Sequence, residues 1–299
     1  MEDVYCQRKH TMNNKEIIAA LNKLDLSSYP YDAVKELVSQ FQPKNLRITI
    51  PAGAFIERIR PGVGFYERKD VTYRPSNQNT KPQRATLPGK TAFYGTICHI
   101  DEPLSNMRAI ALFEASKLCK GDKNVNGTEQ YTLSRWRAND ELKLAVFAHE
   151  SVYPDAVNNK LLAAAKEELV SKKTFLDEVF CFDEYIKYVT QEFAKPVYPL
   201  NDYDYIVSAT IAEMLMYASR LDGVLYPSVP SKGMYGMNVA LREDIADTKL
   251  ILEDVREMEY IQNNGKGSLK FISSSVVKTI DDHGYKTWEY IPYETGVLG

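Results

Sequence analysis

Several things are scarce in this chain of 299 residues. It has four cysteines, Cys6, Cys98, Cys119 and Cys181, far apart and without a CxxC pair. Cys98 and His99 are adjacent, which is poor geometry for joint ligation of one ion, so no metal site is expected and the thiols read as reduced. The four histidines (His10, His99, His149 and His283) are scattered and form no relay with a serine, which argues against a Ser-His-Asp hydrolase. Excess charge of either sign is missing too: 37 Lys and Arg stand against 40 Asp and Glu. Binding to nucleic acid rests on net phosphate neutralisation, so this balance argues against a dedicated DNA or RNA binder. No apolar run approaches the ~20 residues of a membrane helix. The opening residues lack the apolar segment of a secretory signal, and a cytoplasmic location without membrane attachment is expected. Glycine and proline, 15 and 14 in number, are too few for a collagen-like or low-complexity chain. What remains is the composition of a packed globular protein of one large domain or two modest ones.

Periodicity organises the chain. Ile17, Ile18, Leu21 and Leu24 form one helical stripe, and Val34, Leu37, Val38 and Phe41 form another. These two helices in residues 1–45 fit either an appended helical pair or a packing flange. Arg47–Ile50 and Phe55–Arg60 alternate as strands on either side of a Pro51-Ala52-Gly53 turn. Ala92–Thr96 follows Pro88-Gly89 as a short strand. Ser105 is placed to cap a helix running through Leu118. On it Met107, Ile110, Ala111, Glu114 and Leu118 share one face, apolar except for Glu114. Turned inward without a partner, that carboxylate would cost several kcal/mol. It must therefore be protonated, paired with a cation such as Arg84 or Arg58, or facing a site. Leu142–Phe147 reads as a strand, 155–193 as two or more helices and Asp204–Arg220 as another helix, with Gly223 suited to a left-handed cap. Val224–Val229 and Asn238–Leu241 read as strands joined by a glycine-containing loop from Ser231 to Met237 that lacks P-loop spacing. Lys270–Ile280 and Lys286–Ile291 form a terminal hairpin.

Five of these segments, in order, resemble the RES domain, named for its Arg, Glu and Ser. They are Gln83-Arg84-Ala85-Thr86-Leu87-Pro88-Gly89, Ala92-Phe93-Tyr94-Gly95, Ala111-Leu112-Phe113-Glu114, Leu221-Asp222-Gly223-Val224-Leu225-Tyr226-Pro227-Ser228-Val229 and Gly236-Met237-Asn238-Val239-Ala240-Leu241. The resemblance covers roughly residues 46–256. Departures are Gln83 in place of a frequent Gly, an apparent insertion at 97–106, and a longer interval from Glu114 to Ser228.

The resemblance implies an α+β fold like that of ADP-ribosyltransferases, with two twisted sheets around an NAD cleft. It divides the chain into a helical segment (1–45), a catalytic domain (46–260) with a helical insertion near 155–200, and a β-hairpin extension (261–299). It also implies cleavage of the nicotinamide–ribose bond of NAD, with phosphate or water as acceptor, through an oxocarbenium-like state. In that reading Glu114 stabilises the ribosyl cation, Tyr94 frames the nicotinamide, and Arg84 grips phosphate or ribose. Ser228 and Asn238 contact ligand or hold the cleft. Arg58 or its same-face neighbour Arg60 matches the family's first arginine. No cofactor beyond NAD as substrate is implied. Similar proteins are toxins covered by a helix-turn-helix antitoxin, so such a partner is expected. The alternatives are an ADP-ribosyltransferase acting on a protein, and a non-catalytic RES-fold interaction module.

Overall fold

The computed structural model describes residues 12–42, 46–99, 102–121, 124–154, 159–161, 163, 181–196, 202–230, 236–280 and 286–293. Most of the helices expected over 155–193, the loop residues 231–235 and the hairpin turn at 281–284 lie outside the described residues. In chain order the first elements are α1 (Asn14–Leu21), α2 (Tyr31–Ser39), β1 (Leu46–Ile50), β2 (Phe55–Pro61), α3 (Arg68–Val71) and β3 (Ala92–Ile97). Next come α4 (Leu104–Ala115), α5 (Lys117–Lys120), β4 (Gly127–Ala138), β5 (Leu142–Val146), α6 (Phe182–Ala194) and α7 (Ile206–Glu213). The last are β6 (Gly223–Pro227), β7 (Met237–Arg242), α8 (Glu243–Lys249), β8 (Leu250–Asn263), β9 (Lys266–Ile280) and β10 (Lys286–Pro292). The protein is a mixed α+β structure.

The strands form one ten-stranded sheet in the order β1-β5-β6-β7-β3-β2-β4-β8-β9-β10. Of the described pairings only β5 with β6 is parallel. Two separate sheets were expected; the structure has one sheet whose halves meet at a single residue pair. β3 pairs along its length with β7, and β2 with β4, but β2 and β3 share only Glu57 opposite Thr96. The reason is local. A Cβ on Gly95 would lie 2.5 Å from Ile56 Cγ2, so only glycine lets the two strands touch there. One residue further on, the Arg58 side chain takes the place of a strand partner by donating from Nη1 to the Tyr94 carbonyl at 2.6 Å.

The two halves carry different cores. Residues of β6 and β7 are buried almost throughout, as befits central strands covered on both faces. The helices α1, α2, α6 and α7 share their core, and Ile17, Leu21, Val34, Val38 and Phe41 belong to the same cluster as Val224 and Val239. The N-terminal helices are thus a packing flange, with the Phe41 ring 4.8 Å from that of Tyr185. On the other half α4 packs over Ile59, Tyr131, Leu133 and Met258 through Ala111 and Leu112. The β9–β10 hairpin continues this half, and Trp288 Nε1 and the Tyr290 hydroxyl both donate to the Phe65 carbonyl at 2.7 Å.

β1 and β2 flank the Pro51–Gly53 turn, with β1 beside β5 and β2 beside β3 and β4. Three local expectations need correction. The helix expected to run from Ser105 through Leu118 begins at Leu104 and ends at Ala115. Ser116 is extended and its hydroxyl caps α5 by accepting from Cys119 N–H at 3.0 Å. The helix expected over 204–220 is a 3₁₀ turn, then α7, then a π-helical turn over Met214–Ala218. Gly223 does not supply the left-handed cap; Arg220 does, at φ 54°. Gly223 is instead needed for close approach, because a Cβ there would lie 2.2 Å from the Ala240 carbonyl oxygen.

Candidate functional site

Where β2 and β3 part, a cavity of about 570 Å³ opens. Its walls include Arg58, Ile59 and Arg60 of β2, Tyr94 and Gly95 of β3, Ala111, Glu114 and Ala115 at the end of α4, Tyr226, Asn238, and the loop arginines Arg74 and Arg84. The fork thus brings both half-sheets and α4 to one opening. Of the six sequence-derived candidates, Arg58, Arg84, Tyr94, Glu114 and Asn238 line it directly. Ser228 lies behind the wall, fully buried at 0 % exposure.

Glu114 is the centre of the arrangement. The apolar residues of its helical face, Met107, Ile110 and Ala111, are buried, and the last turn carries the carboxylate to the cavity. β6 and β7 are antiparallel, with Tyr226 opposite Asn238, so Ser228 just beyond β6 comes up beside Asn238. The Ser228 hydroxyl donates to Glu114 Oε1 at 2.7 Å, and Asn238 Nδ2 donates to the same oxygen at 2.8 Å. Among the described residues neither Arg84 nor Arg58 forms an ion pair with it, and the two donors that hold it are neutral. Two donors on Oε1 orient the carboxylate and leave Oε2 without a hydrogen bond among the described residues.

The opposite wall is cationic. Arg58 and Arg60, two apart on β2, both line the cavity, so no choice between them is needed. Burial, with Arg60 and Arg74 close by, pulls the Arg58 guanidinium down to about 10, and its buried Nε has no hydrogen-bond partner among the described residues. Arg60 lies over the Phe65 ring at 5.0 Å and donates to the Asp70 carbonyl. Arg84 is anchored rather than open. Its guanidinium donates to the carbonyls of Phe193 and Lys195 at the end of α6, donates to the Tyr205 hydroxyl at 3.1 Å, and stacks over the Tyr205 ring at 4.9 Å. It contributes a fixed charge, with most of its donors already used. Tyr94 is held as well: its hydroxyl accepts from Ala85 N–H at 3.2 Å and lies 3.0 Å from the Thr86 hydroxyl. Burial pushes its phenol up to about 12.

Sequence reasoning passed over four residues here. Arg74 lies in the polar stretch before Pro75 and has no local pattern to betray it. Tyr226 sits within a quoted motif yet was read only as part of a buried strand. Burial raises its phenol well above the usual range, with Tyr94 adding to the shift. Glu57 is 0 % exposed and holds Arg135 at 2.7 Å and Arg108 at 3.1 Å through Oε1, while Oε2 has no partner among the described residues. The period-two pattern of β2 puts Glu57 on one face with Ile59, and that carried the available signal. Tyr153, 6 % exposed, stands near enough to Arg84 and Glu114 to feel both charges, and its hydroxyl has no partner among the described residues.

A scan against protein-family models and a search of curated proteins return no match. The site is therefore read from its own chemistry. Four guanidinium groups and two carboxylates line the cavity, and one of those carboxylates, Glu57, is already engaged by Arg108 and Arg135. Such a wall suits a polyanion, diphosphate included. Opposite it stands one oriented carboxylate with an open oxygen, suited to hydroxyls or to a developing cation. Among the described residues no group of three or more His, Cys, Asp or Glu side chains could hold a metal ion, and no helix is long and apolar enough to cross a membrane.

Proposed function

We propose that this protein is an NAD-consuming enzyme of RES type. In this reading the ligand spans the fork between the half-sheets, as in an ADP-ribosyltransferase-like fold. The diphosphate lies against Arg58, Arg60 and Arg74, the ribose against Glu114, and the nicotinamide beside Tyr94. The bond from ribose C1′ to the nicotinamide nitrogen breaks with its electron pair going to the ring, which neutralises the pyridinium. An oxygen of phosphate or water then bonds to C1′, and its proton is released to solvent. Glu114 contributes negative charge beside the ribosyl cation.

The single observation that carries the reading is the pairing of Ser228 and Asn238 on one oxygen of Glu114, facing a cavity walled by arginines. The order of the five RES-like segments supports it independently. An NAD-depleting toxin acting in the cytoplasm, with a helix-turn-helix antitoxin covering the cavity, belongs to the same proposal. The test is purified protein with NAD, measuring free nicotinamide with and without phosphate. Release that depends on Glu114 supports the reading. NAD bound but uncleaved in both conditions refutes it, and label from NAD left on a macromolecule redirects it to protein modification.

A further inference from the structure

Beside the main cavity lies a smaller chamber of about 80 Å³, bounded by Arg58, Arg74, Lys90, Thr86, Thr91 and Tyr94 among others. Arg58, Arg74 and Tyr94 border both spaces, so the chamber adjoins the cleft. Three cations line it and no acidic residue does. Among the described residues Arg74 and Lys90 make no ion pair and the buried Nε of Arg58 has no acceptor, while the exposed Lys90 ammonium lies over the Tyr217 ring at 5.8 Å, free of any carboxylate.

The walls are set without a ligand. Asn79 Nδ2 donates to the carbonyls of Leu87 and Lys90 at 3.0 and 3.1 Å, and Gly89 N–H returns a bond to the Asn79 carbonyl at 2.8 Å. The Thr91 hydroxyl donates to the Arg74 carbonyl at 2.5 Å, tying together the two segments that carry Arg74 and Lys90. Arg58 and Arg74 disfavour one another as like charges, and a bound anion reverses that cost. The space suits one tetrahedral anion and is too small for a ring system. Glu114, Ser228 and Asn238 are absent from its lining, so it lies away from the carboxylate end.

We infer that this chamber is a subsite for a phosphate dianion, additional to the diphosphate positions of the main cavity. The inference rests on the nucleotide reading above and extends it. The phosphate has two sources: a monoester on the dinucleotide itself, as in NADP, or free inorganic phosphate. Lys90 borders the chamber and not the main cavity, so its substitution separates the two. The experiment compares the full chain with Lys90→Gln and Lys90→Arg. It measures inorganic phosphate binding by calorimetry and cleavage of NAD against NADP.

Loss of one charge-assisted hydrogen bond predicts about tenfold weaker phosphate binding in Lys90→Gln, restored in Lys90→Arg. A nucleotide-borne phosphate appears as a tenfold fall in the NADP-to-NAD preference with NAD cleavage unchanged. A free phosphate appears as tenfold weaker phosphate binding with the NADP-to-NAD preference unchanged. Lys90→Gln with parental phosphate binding and parental preference overturns the inference. If the parent cleaves neither dinucleotide, the functional reading fails, and the phosphate titration alone still decides the subsite.

Discussion

Glu114→Gln removes one negative charge and little else. The glutamine carbonyl can still accept from the Ser228 hydroxyl and Asn238 Nδ2, which lie 2.7 and 2.8 Å from Oε1. A carboxylate about 4 Å from a ribosyl cation is worth about 4 kcal/mol at an effective dielectric of about 20. With a tenfold rate change for each ~1.4 kcal/mol, that bounds the loss at about 10³-fold. Water in the open cavity screens part of the field, so kcat for nicotinamide release should fall about 10²–10³-fold. The KM for NAD should stay within about threefold, because the charge matters mainly in the transition state. Thermal midpoints should agree within about 2 °C. Glu114→Ala is the contrast: it also takes the acceptor from the Asn238 amide, a cost of about 1–3 kcal/mol. Stopped assays of nicotinamide at saturating NAD, with melting curves for both variants, supply the comparison. Near-parental kcat in Glu114→Gln, or a change confined to KM, would refute the electrostatic role.

Three further predictions follow from the same geometry. Tyr153→Phe deletes a buried hydroxyl without a partner, so the ligand-free protein should gain about 1 kcal/mol and melt about 2 °C higher; a lower midpoint would show that the hydroxyl is satisfied. Gly95→Ala forces a methyl to within 2.5 Å of Ile56 Cγ2 and should cost about 1–3 kcal/mol in urea unfolding. Trimming Ile56 to Ala in the same chain should recover part of that cost, and strict additivity would remove the clash as its cause. Burial raises the Tyr94 and Tyr153 phenols to about 12, above the ordinary value of about 10. Their folded-state pKa is raised, so their contribution is complete below pH ~10 and is lost as pH climbs towards ~12. Phenolate absorbance should thus show a class that ionises only with loss of ellipticity, and a single reversible step near 10 for all tyrosines would contradict the burial.

The stripe carrying Glu114 was readable because one charged residue interrupts an apolar helical face, a local pattern that survives folding unchanged. The β6 and β7 segments were readable because doubly covered strands are continuous apolar runs. β4 and β8 escaped notice for a physical reason. The inward residues of β8, Leu250, Leu252, Val255, Met258 and Gln262, are spaced 2, 3, 3 and 4 apart and imitate a helix. A bulge in the β4–β8 ladder accounts for the first change of phase, from Leu252 to Val255: Arg135 faces Asp254 but Trp136 faces Leu252, so Glu253 is extra. The cavity's arginines were half legible. Arg58, Arg60 and Arg84 sit in recognisable strands or motifs, whereas Arg74 reaches the wall only through a loop fixed by contacts remote in sequence. The neutral partners of Glu114 were likewise beyond local reading, because the register of β6 against β7 decides that Ser228 and Asn238 converge on one oxygen.

The most direct measurement is a crystal structure of Glu114→Gln soaked with NAD, in which slow turnover preserves the dinucleotide. The account predicts density across the fork, ribose hydroxyls against residue 114 and diphosphate oxygens against Arg58, Arg60 and Arg74. An empty cleft at saturating NAD, or the dinucleotide bound on another face of the protein, would contradict it.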